Sequence, residues 1–239
     1  ESSRAPRKMG FGRAKHAEYR LLDRVSRGAE GSRVTIERPC GDACPSPRAR
    51  EIVEVELPFV GEAAAIDLCA ALAAAEAAAG SIPQVALDAA MARAKNVEGR
   101  AGVLDLGAIL VVDDTYNANP GSMRAALAIL AELAGPRRRV AVLGEMKELG
   151  PAAQGEHASL GDAVGAAGVA LAIGCGGLAS ETIARARRAG VDALDCASVE
   201  AATAAALERV RAGDVVLVKG SRSVGAEAVV SALTRRFKP

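Results

Sequence analysis

Residues 108–144 read AILVVDDTYNANPGSMRAALAILAELAGPRRRVAVLG. An apolar run ends in two aspartates, a polar turn closes on Asn119-Pro120, a stretch of helical length follows, and a second apolar run ends in glycine. Apolar runs this short fit buried strands, and the spacing of Met, Leu and Ile between Gly121 and Ala134 fits a helix with one face on a core. Asn before Pro is a helix-start signal. The Asn side chain can accept from free backbone N–H groups, and Pro fills the first helical position, whose own N–H would go unpaired anyway. The stretch is therefore one strand–helix–strand unit, the connection that joins parallel strands.

The unit repeats toward the C-terminus. Runs at 169–174 (VALAIG), 191–196 (VDALDC) and 214–220 (DVVLVKG) alternate with helical stretches at 153–167, 178–189, 198–211 and 224–237. The pattern predicts an α/β fold: a Rossmann-like parallel-sheet domain covered on both faces, with right-handed crossovers. Ligands of such sheets meet the carboxyl ends of the strands, so the loops after residues 113, 144, 174, 196 and 219 are where chemistry is expected.

Upstream the texture changes. RVTIER (33–38) and EIVEVEL (51–57) alternate apolar and polar residues as half-buried strands do, and the Pro-containing stretch 39–50 between them reads as a surface loop. Ala63 to Ala79 is a helix, apolar almost all the way round and so expected to be buried on every side. A second helix at about 83–95 leads through Gly99 and Arg100 into the repeating part. Two domains follow, residues 1–104 and 105–239.

Thirty Lys and Arg against 29 Asp and Glu leave a net charge of +1, which provides no basic field for nucleic acid or an anionic membrane. Two Tyr, three Phe and no Trp leave few platforms for stacking bases. The most apolar run, Ala63 to Ala79, is broken by Asp67 and Glu76, and Glu1 to Gly10 lacks the apolar core of a signal peptide, so no membrane segment is expected. An odd number of cysteines, five, in a chain too long to need covalent staples points to a reducing compartment, the cytoplasm. Cys40 and Cys44 have no second Cys or His pair nearby to complete a zinc set, and read as free thiols in a loop.

Three of the strand ends carry dense polar groups. After the first come Asp113, Asp114, Thr115, Tyr116, Asn117 and Asn119; turn formation and capping explain one or two of these, not all. The second runs into Gly144-Glu145-Met146-Lys147-Glu148-Leu149-Gly150 with His157 beyond, able to position an amine or a metal but, alone, reading as a solvated turn. The fifth delivers Lys219-Gly220-Ser221-Arg222 to a helix N-terminus, where N–H groups and two cations suit a carboxylate or phosphate. Gly174-Cys175-Gly176-Gly177-Leu178-Ala179, followed by Asp192 and Asp195, formally satisfies the dinucleotide pattern GxGxxG/A. It sits on the third strand of its domain instead of the first, so the NAD reading is weak.

Taken together, DDTYNANPGSM (113–123), LGEMKELG (143–150), His157 and LVKGSRS (217–223) resemble the MurF family of Mur ligases, the UDP-N-acetylmuramoyl-tripeptide:D-alanyl-D-alanine ligases. The resemblance covers the whole chain: 1–60 look like the later strands of the family's central ATPase domain, 57–79 like its GxHNxxNxLAA helix, and 108–239 like its C-terminal domain. It implies that ATP and Mg²⁺ serve to phosphorylate the terminal carboxylate of UDP-MurNAc-tripeptide, and that the amine of D-Ala-D-Ala then attacks the acyl phosphate, in peptidoglycan precursor synthesis. It also implies Arg100 at the ATP phosphates, Asp113 and Asp114 at the ribose hydroxyls, Asn117 beside the adenine and Asp67 at its amino group. Asn119, Glu145, His157 and the loop Lys219, Gly220, Ser221, Arg222 would face the dipeptide, with Lys219 and Arg222 as the catalytic cations and partners of its carboxylate. A monomer is expected, with no metal ligand in this chain and Mg²⁺ held mainly by the part of the family's fold that would precede it.

Two departures qualify the resemblance. The GxHNxxN pattern is here Gly61-Glu62-Ala63-Ala64-Ala65-Ile66-Asp67, and no GxxxxGK[ST] occurs. Without that loop to cradle the β- and γ-phosphates, the chain alone is expected not to hydrolyse ATP. Two alternatives stand beside the ligase reading. One is a non-catalytic nucleotide- or dipeptide-binding module. The other is a sister ligase of the Mur or folylpolyglutamate type, against which the YNANP string argues.

Overall fold

The computed structural model describes residues 8–40 and 49–238. It divides into two compact units, Glu1–Lys95 and Asn96–Pro239. Among the described residues no helix is long and apolar enough to cross a membrane.

The first unit is a four-stranded sheet in the order β1 (Phe11–Gly12), β2 (Tyr19–Ser26), β3 (Ser32–Pro39), β4 (Arg50–Leu57), carrying helices α1 (Gly61–Ala79) and α2 (Gln84–Arg93). β2, β3 and β4 are antiparallel, and the short β1 runs parallel to β2. Alternate residues Val34, Ile36, Val53 and Val55 turn one face of the sheet toward Leu68, Cys69 and Leu72 of α1. α1 is not buried on every side, as its composition suggested: Ala63, Asp67, Ala71 and Ala74 are exposed. In a helix built mostly of alanine the few large side chains, not mean apolarity, mark the buried stripe. Arg38 is 3% exposed and lies between Glu76 of α1 and Glu51 of β4, while Tyr19 Oη donates to Glu76 at 2.8 Å. A buried guanidinium with two carboxylates fixes the helix on the sheet, because moving either would leave a charge unpaired. Cys40 is disulfide-bonded, which corrects the free-thiol reading at that position and weakens the cysteine argument for a reducing compartment. Cys44, most of the Pro-containing loop and the first seven residues lie outside the described residues.

The second unit holds a six-stranded sheet in the order β5 (Gly102–Asp105), β6 (Leu110–Asp114), β10 (Val215–Lys219), β7 (Arg139–Gly144), β8 (Leu171–Cys175), β9 (Asp192–Cys196). Every neighbouring pair is parallel except β5 with β6. Because β5 belongs to this sheet, the stretch 96–104 lies with the second unit, and the boundary read at 104 falls inside a strand. Residues of one phase, such as Val111, Val142, Ile173 and Val216, pack with Ala202 and Ala206 of α6 (Val199–Arg209) and Val229 and Leu233 of α7 (Glu227–Phe237). The opposite phase, including Val112, Ala141 and Leu217, faces α3 (Pro120–Ala134), which lies across β10 and β7, with α4 (Ala153–Ala166) and α5 (Ala179–Arg188) beside it.

From β6 the chain moves to β7, β8 and β9, then returns to insert β10 between β6 and β7. That reversal makes neighbours of three carboxyl ends, at 114, 144 and 219, that are far apart in sequence, and it is where an open parallel sheet offers a crevice.

Candidate functional site

Lys219 ends β10 opposite Asp114 in the register of β6 and Leu143 in that of β7. Its side chain, 2% exposed, donates from Nζ to Asp114 Oδ2 at 2.6 Å and to Asn117 O at 2.8 Å. Asp114 Oδ1 accepts from Ala101 N at 3.1 Å. Lys219 is thus a tie between two strand ends, with no face toward solvent, and both oxygens of Asp114 are already engaged. Asp113 differs: its Oδ1 accepts from Thr115 N at 3.2 Å and Thr115 Oγ1 at 2.7 Å, a local turn that uses one carboxylate oxygen.

Asn119 is the N-cap of α3. Its Oδ1 accepts from Ser122 N at 2.8 Å and Ser122 Oγ accepts from Asn119 N at 3.1 Å, a reciprocal capping box, with Pro120 at the first helical position. Asn117 is exposed, and its Oδ1 accepts from Ala118 N. Between them and the connector stands Tyr116, 41% exposed, with the Arg100 guanidinium 3.9 Å and that of Arg222 5.5 Å from its ring centre. The two exposed arginines share one aromatic plate, a favourable arrangement for cations over a π face.

The β7 and β10 loops are stitched to each other. Ser221 N donates to Glu145 O at 3.1 Å, and Ser221 Oγ accepts from Lys147 N at 2.9 Å. A Cβ on Gly144 would stand 3.1 Å from Gly220 Cα, so these facing glycines allow the two backbones to approach. The Glu145 side chain pairs with Lys147 Nζ and lies against Gly177. Gly177 has φ +54°, and a Cβ there would fall 2.0 Å from Glu145 Oε2. The glycine-rich turn that resembled a dinucleotide loop is therefore the seat of an internal carboxylate.

His157 is fully buried on α4. Its Nε2 accepts from Met146 N at 3.1 Å, and its Nδ1 meets Thr182 Oγ1 at 3.1 Å. Burial pushes its pKa below the usual imidazole value, partly opposed by the charges of Glu145 and Glu181. The ring touches the site only through the loop it holds.

The sequence-predicted residues of the second unit thus separate into three groups. Lys219, Gly220, Ser221 and His157 are buried supports; Asp113, Asp114 and Glu145 are half-buried; Arg100, Asn117, Asn119 and Arg222 are exposed around Tyr116. Asp67 lies on the exposed side of α1 in the first unit. The sequence named Tyr116 only within a polar turn and Gly177 only within a dinucleotide-like pattern, and gave no part to Thr182. An aromatic residue inside a polar turn of a Tyr-poor chain was a signal for the first; nothing in the sequence pointed to Thr182.

The Mur ligase, glutamate ligase domain family matches residues 99–222. A UDP-N-acetylmuramoyl-tripeptide–D-alanyl-D-alanine ligase of Escherichia coli K12 is 34% identical over 209 residues, covering 86% of this chain and 42% of the relative. Its namesake from Mycobacterium tuberculosis CDC 1551 is 40% identical over 188 residues, 70% of this chain and 36% of the relative. The chain therefore spans less than half the length of these curated relatives. The MurF ligase of Thermotoga maritima in complex with ADP superposes with a TM-score of 0.71 at 22% identity, over 93% of this chain and 47% of that one. A MurF of Acinetobacter baumannii gives 0.73 at 23%, over 93% and 46%. At these identities the two structures establish a shared fold.

Proposed function

The chain belongs to the Mur ligase family, and from that premise we propose that it is the carboxyl-terminal part of a MurF-type ligase of peptidoglycan precursor synthesis. The intact enzyme joins UDP-MurNAc-tripeptide to D-Ala-D-Ala at the expense of ATP. A carboxylate is a poor electrophile; once one of its oxygens bonds to the γ-phosphorus and ADP departs, the acyl carbon has a leaving group. The dipeptide nitrogen then bonds to that carbon, phosphate leaves, and the nitrogen loses a proton.

Within this scheme the exposed groups have distinct parts. Arg100 meets phosphate charge, and Arg222, beside it on Tyr116, meets the dipeptide carboxylate. Glu145 offers a carboxylate to the dipeptide ammonium group. Asp113, with one oxygen outside its own turn, suits a ribose hydroxyl better than Asp114, whose oxygens are engaged. Lys219 acts from beneath, by holding Asp114 and the Asn117 carbonyl. Among the described residues no group of three or more His, Cys, Asp or Glu could hold a metal ion. The reading places the protein in the cytoplasm as a monomer. The missing GxxxxGK[ST] supports the view that this chain binds without turning ATP over.

The observation that carries the proposal is the joining of three strand tips into one polar rim, by Lys219 to Asp114 at 2.6 Å and Ser221 to Glu145 at 3.1 Å. Calorimetric titration of the 239-residue chain with ADP and with D-Ala-D-Ala tests it. Both ligands bind, and Arg222→Ala weakens the dipeptide roughly tenfold, as loss of a charge-assisted hydrogen bond does, while sparing ADP. Binding of neither ligand overturns the proposal.

A further inference from the structure

Ser221 and His157, outside the loop between β7 and α4, hold its backbone. Glu148 sits at φ +64° and Gly150 at φ +54°, and a non-glycine residue in the left-handed region persists only when its surroundings impose it. The surroundings supply three hydrogen bonds. Ser221 makes two, to Glu145 O and Lys147 N, and the third runs from Met146 N to His157 Nε2.

The third differs because its acceptor can be protonated. Thr182 Oγ1 donates its single proton to His157 O at 2.9 Å, so the 3.1 Å contact with His157 Nδ1 requires the ring to donate. Nδ1 therefore carries the hydrogen and Nε2 presents a lone pair to Met146 N–H. A proton on Nε2 would set two donors against each other in a site without solvent. Glu145 and Glu181 favour such a proton, while Lys147 and burial oppose it. The residues on either side of Met146 are Glu145 and Lys147, the ion pair that the loop presents.

We propose that His157 is a positioning residue for the amine-binding side of the site: its neutral ring holds Met146 N–H, and so fixes Glu145 and Lys147 for D-Ala-D-Ala. This rests on the function proposed above, but the anchoring itself has a ligand-independent readout. His157→Gln supplies Oε1 as a substitute acceptor that does not titrate, and His157→Leu supplies none. Amide hydrogen exchange at Met146 and Lys147, measured by NMR at pH 8 and pH 5.5, is compared with calorimetric binding of D-Ala-D-Ala and ADP.

In the natural sequence, Met146 protection and dipeptide affinity fall together as acid protonates the folded ring, whose pKa lies below the usual imidazole value. In His157→Gln both persist and neither responds to pH over this range. In His157→Leu, Met146 protection falls at both pH values and the dipeptide binds at least tenfold more weakly, with ADP unaffected. The proposal is overturned if His157→Leu keeps Met146 protected, if the loop loosens with no change in dipeptide affinity, or if His157→Gln behaves as His157→Leu does. Should His157→Leu fail to fold, the glutamine variant and the pH response decide. If the natural chain binds no dipeptide, the proposed function fails and takes the positioning role with it, while exchange alone still shows whether His157 anchors the loop.

Discussion

Lys219 and Asp114 are 105 residues apart in the chain and 2.6 Å apart at the ends of neighbouring strands. The pair is 2% and 15% exposed at its two side chains, and the same ammonium group reaches the carbonyl of Asn117. A cation so enclosed meets no solvent; its partners are the Asp114 carboxylate and the Asn117 carbonyl.

Replacing Lys219 by Met leaves a largely buried carboxylate without its cation, which costs about 3 kcal/mol. Urea denaturation should show the second unit destabilised by that order, and Asp114→Asn in the same chain should restore part of the loss. An unchanged midpoint for Lys219→Met would show that the pair contributes nothing net.

Asn119→Ala removes the capping box of α3, at a cost of about 1 kcal/mol. Asn119→Ser retains a capping oxygen and should recover most of it in a thermal melt. A weaker D-Ala-D-Ala affinity for Asn119→Ala than for Asn119→Ser, at equal folded fraction, would give the exposed amide a second task.

Gly177→Ala places a methyl group where the Glu145 carboxylate lies, at a left-handed backbone position that costs alanine about 1–2 kcal/mol. The carboxylate is the free end of its side chain and moves aside, so the chain folds with lowered stability. Dipeptide affinity should fall with it, whereas a Gly176→Ala variant, 3.6 Å from Ala197 O, strains only the turn.

His157 makes stability depend on pH with a fixed sign. Its folded pKa is lowered by burial, so between the folded and the unfolded values, the latter near 6.5, the unfolded chain binds the extra proton. The contribution is present in full above about pH 6.5 and is lost as pH falls toward the folded value. Denaturant midpoints at pH 7.5 and 5.5 should differ less in His157→Gln than in the natural sequence.

Phosphate release from ATP by the purified chain should not exceed background, with or without Mg²⁺, because no loop of the required sequence surrounds the terminal phosphates. Turnover would remove the argument that this chain binds without chemistry.

Much of the second unit was legible because its strands are short apolar runs and its helices begin at marked turns. VAVLG and VVLVK became β7 and β10, and Asn119-Pro120 opened α3. β5 was missed: four residues, GVLD, antiparallel at a sheet edge, offer too little pattern. β2 was missed because its register shifts between Leu21 and Asp23, breaking the alternation of apolar residues. At the candidate site, the sequence located the polar residues at the strand ends but could not say which way they turn. Lys219 and Arg222 are three residues apart, and one is enclosed while the other is open. His157 carries no sign in its neighbours that Thr182, on another helix, fixes its tautomer.

The antiparallel entry of β5 also decides where a pull on the chain would be felt. Gly102 pairs with Asp113, and Gly99 O accepts from Tyr116 N at 3.0 Å, so the segment 96–101 joins the sheet at the carboxyl ends of its parallel strands. A handle attached ahead of residue 96 and drawn by optical tweezers would therefore load Tyr116 and Asp114 first, and leave the amino ends of the strands to yield later.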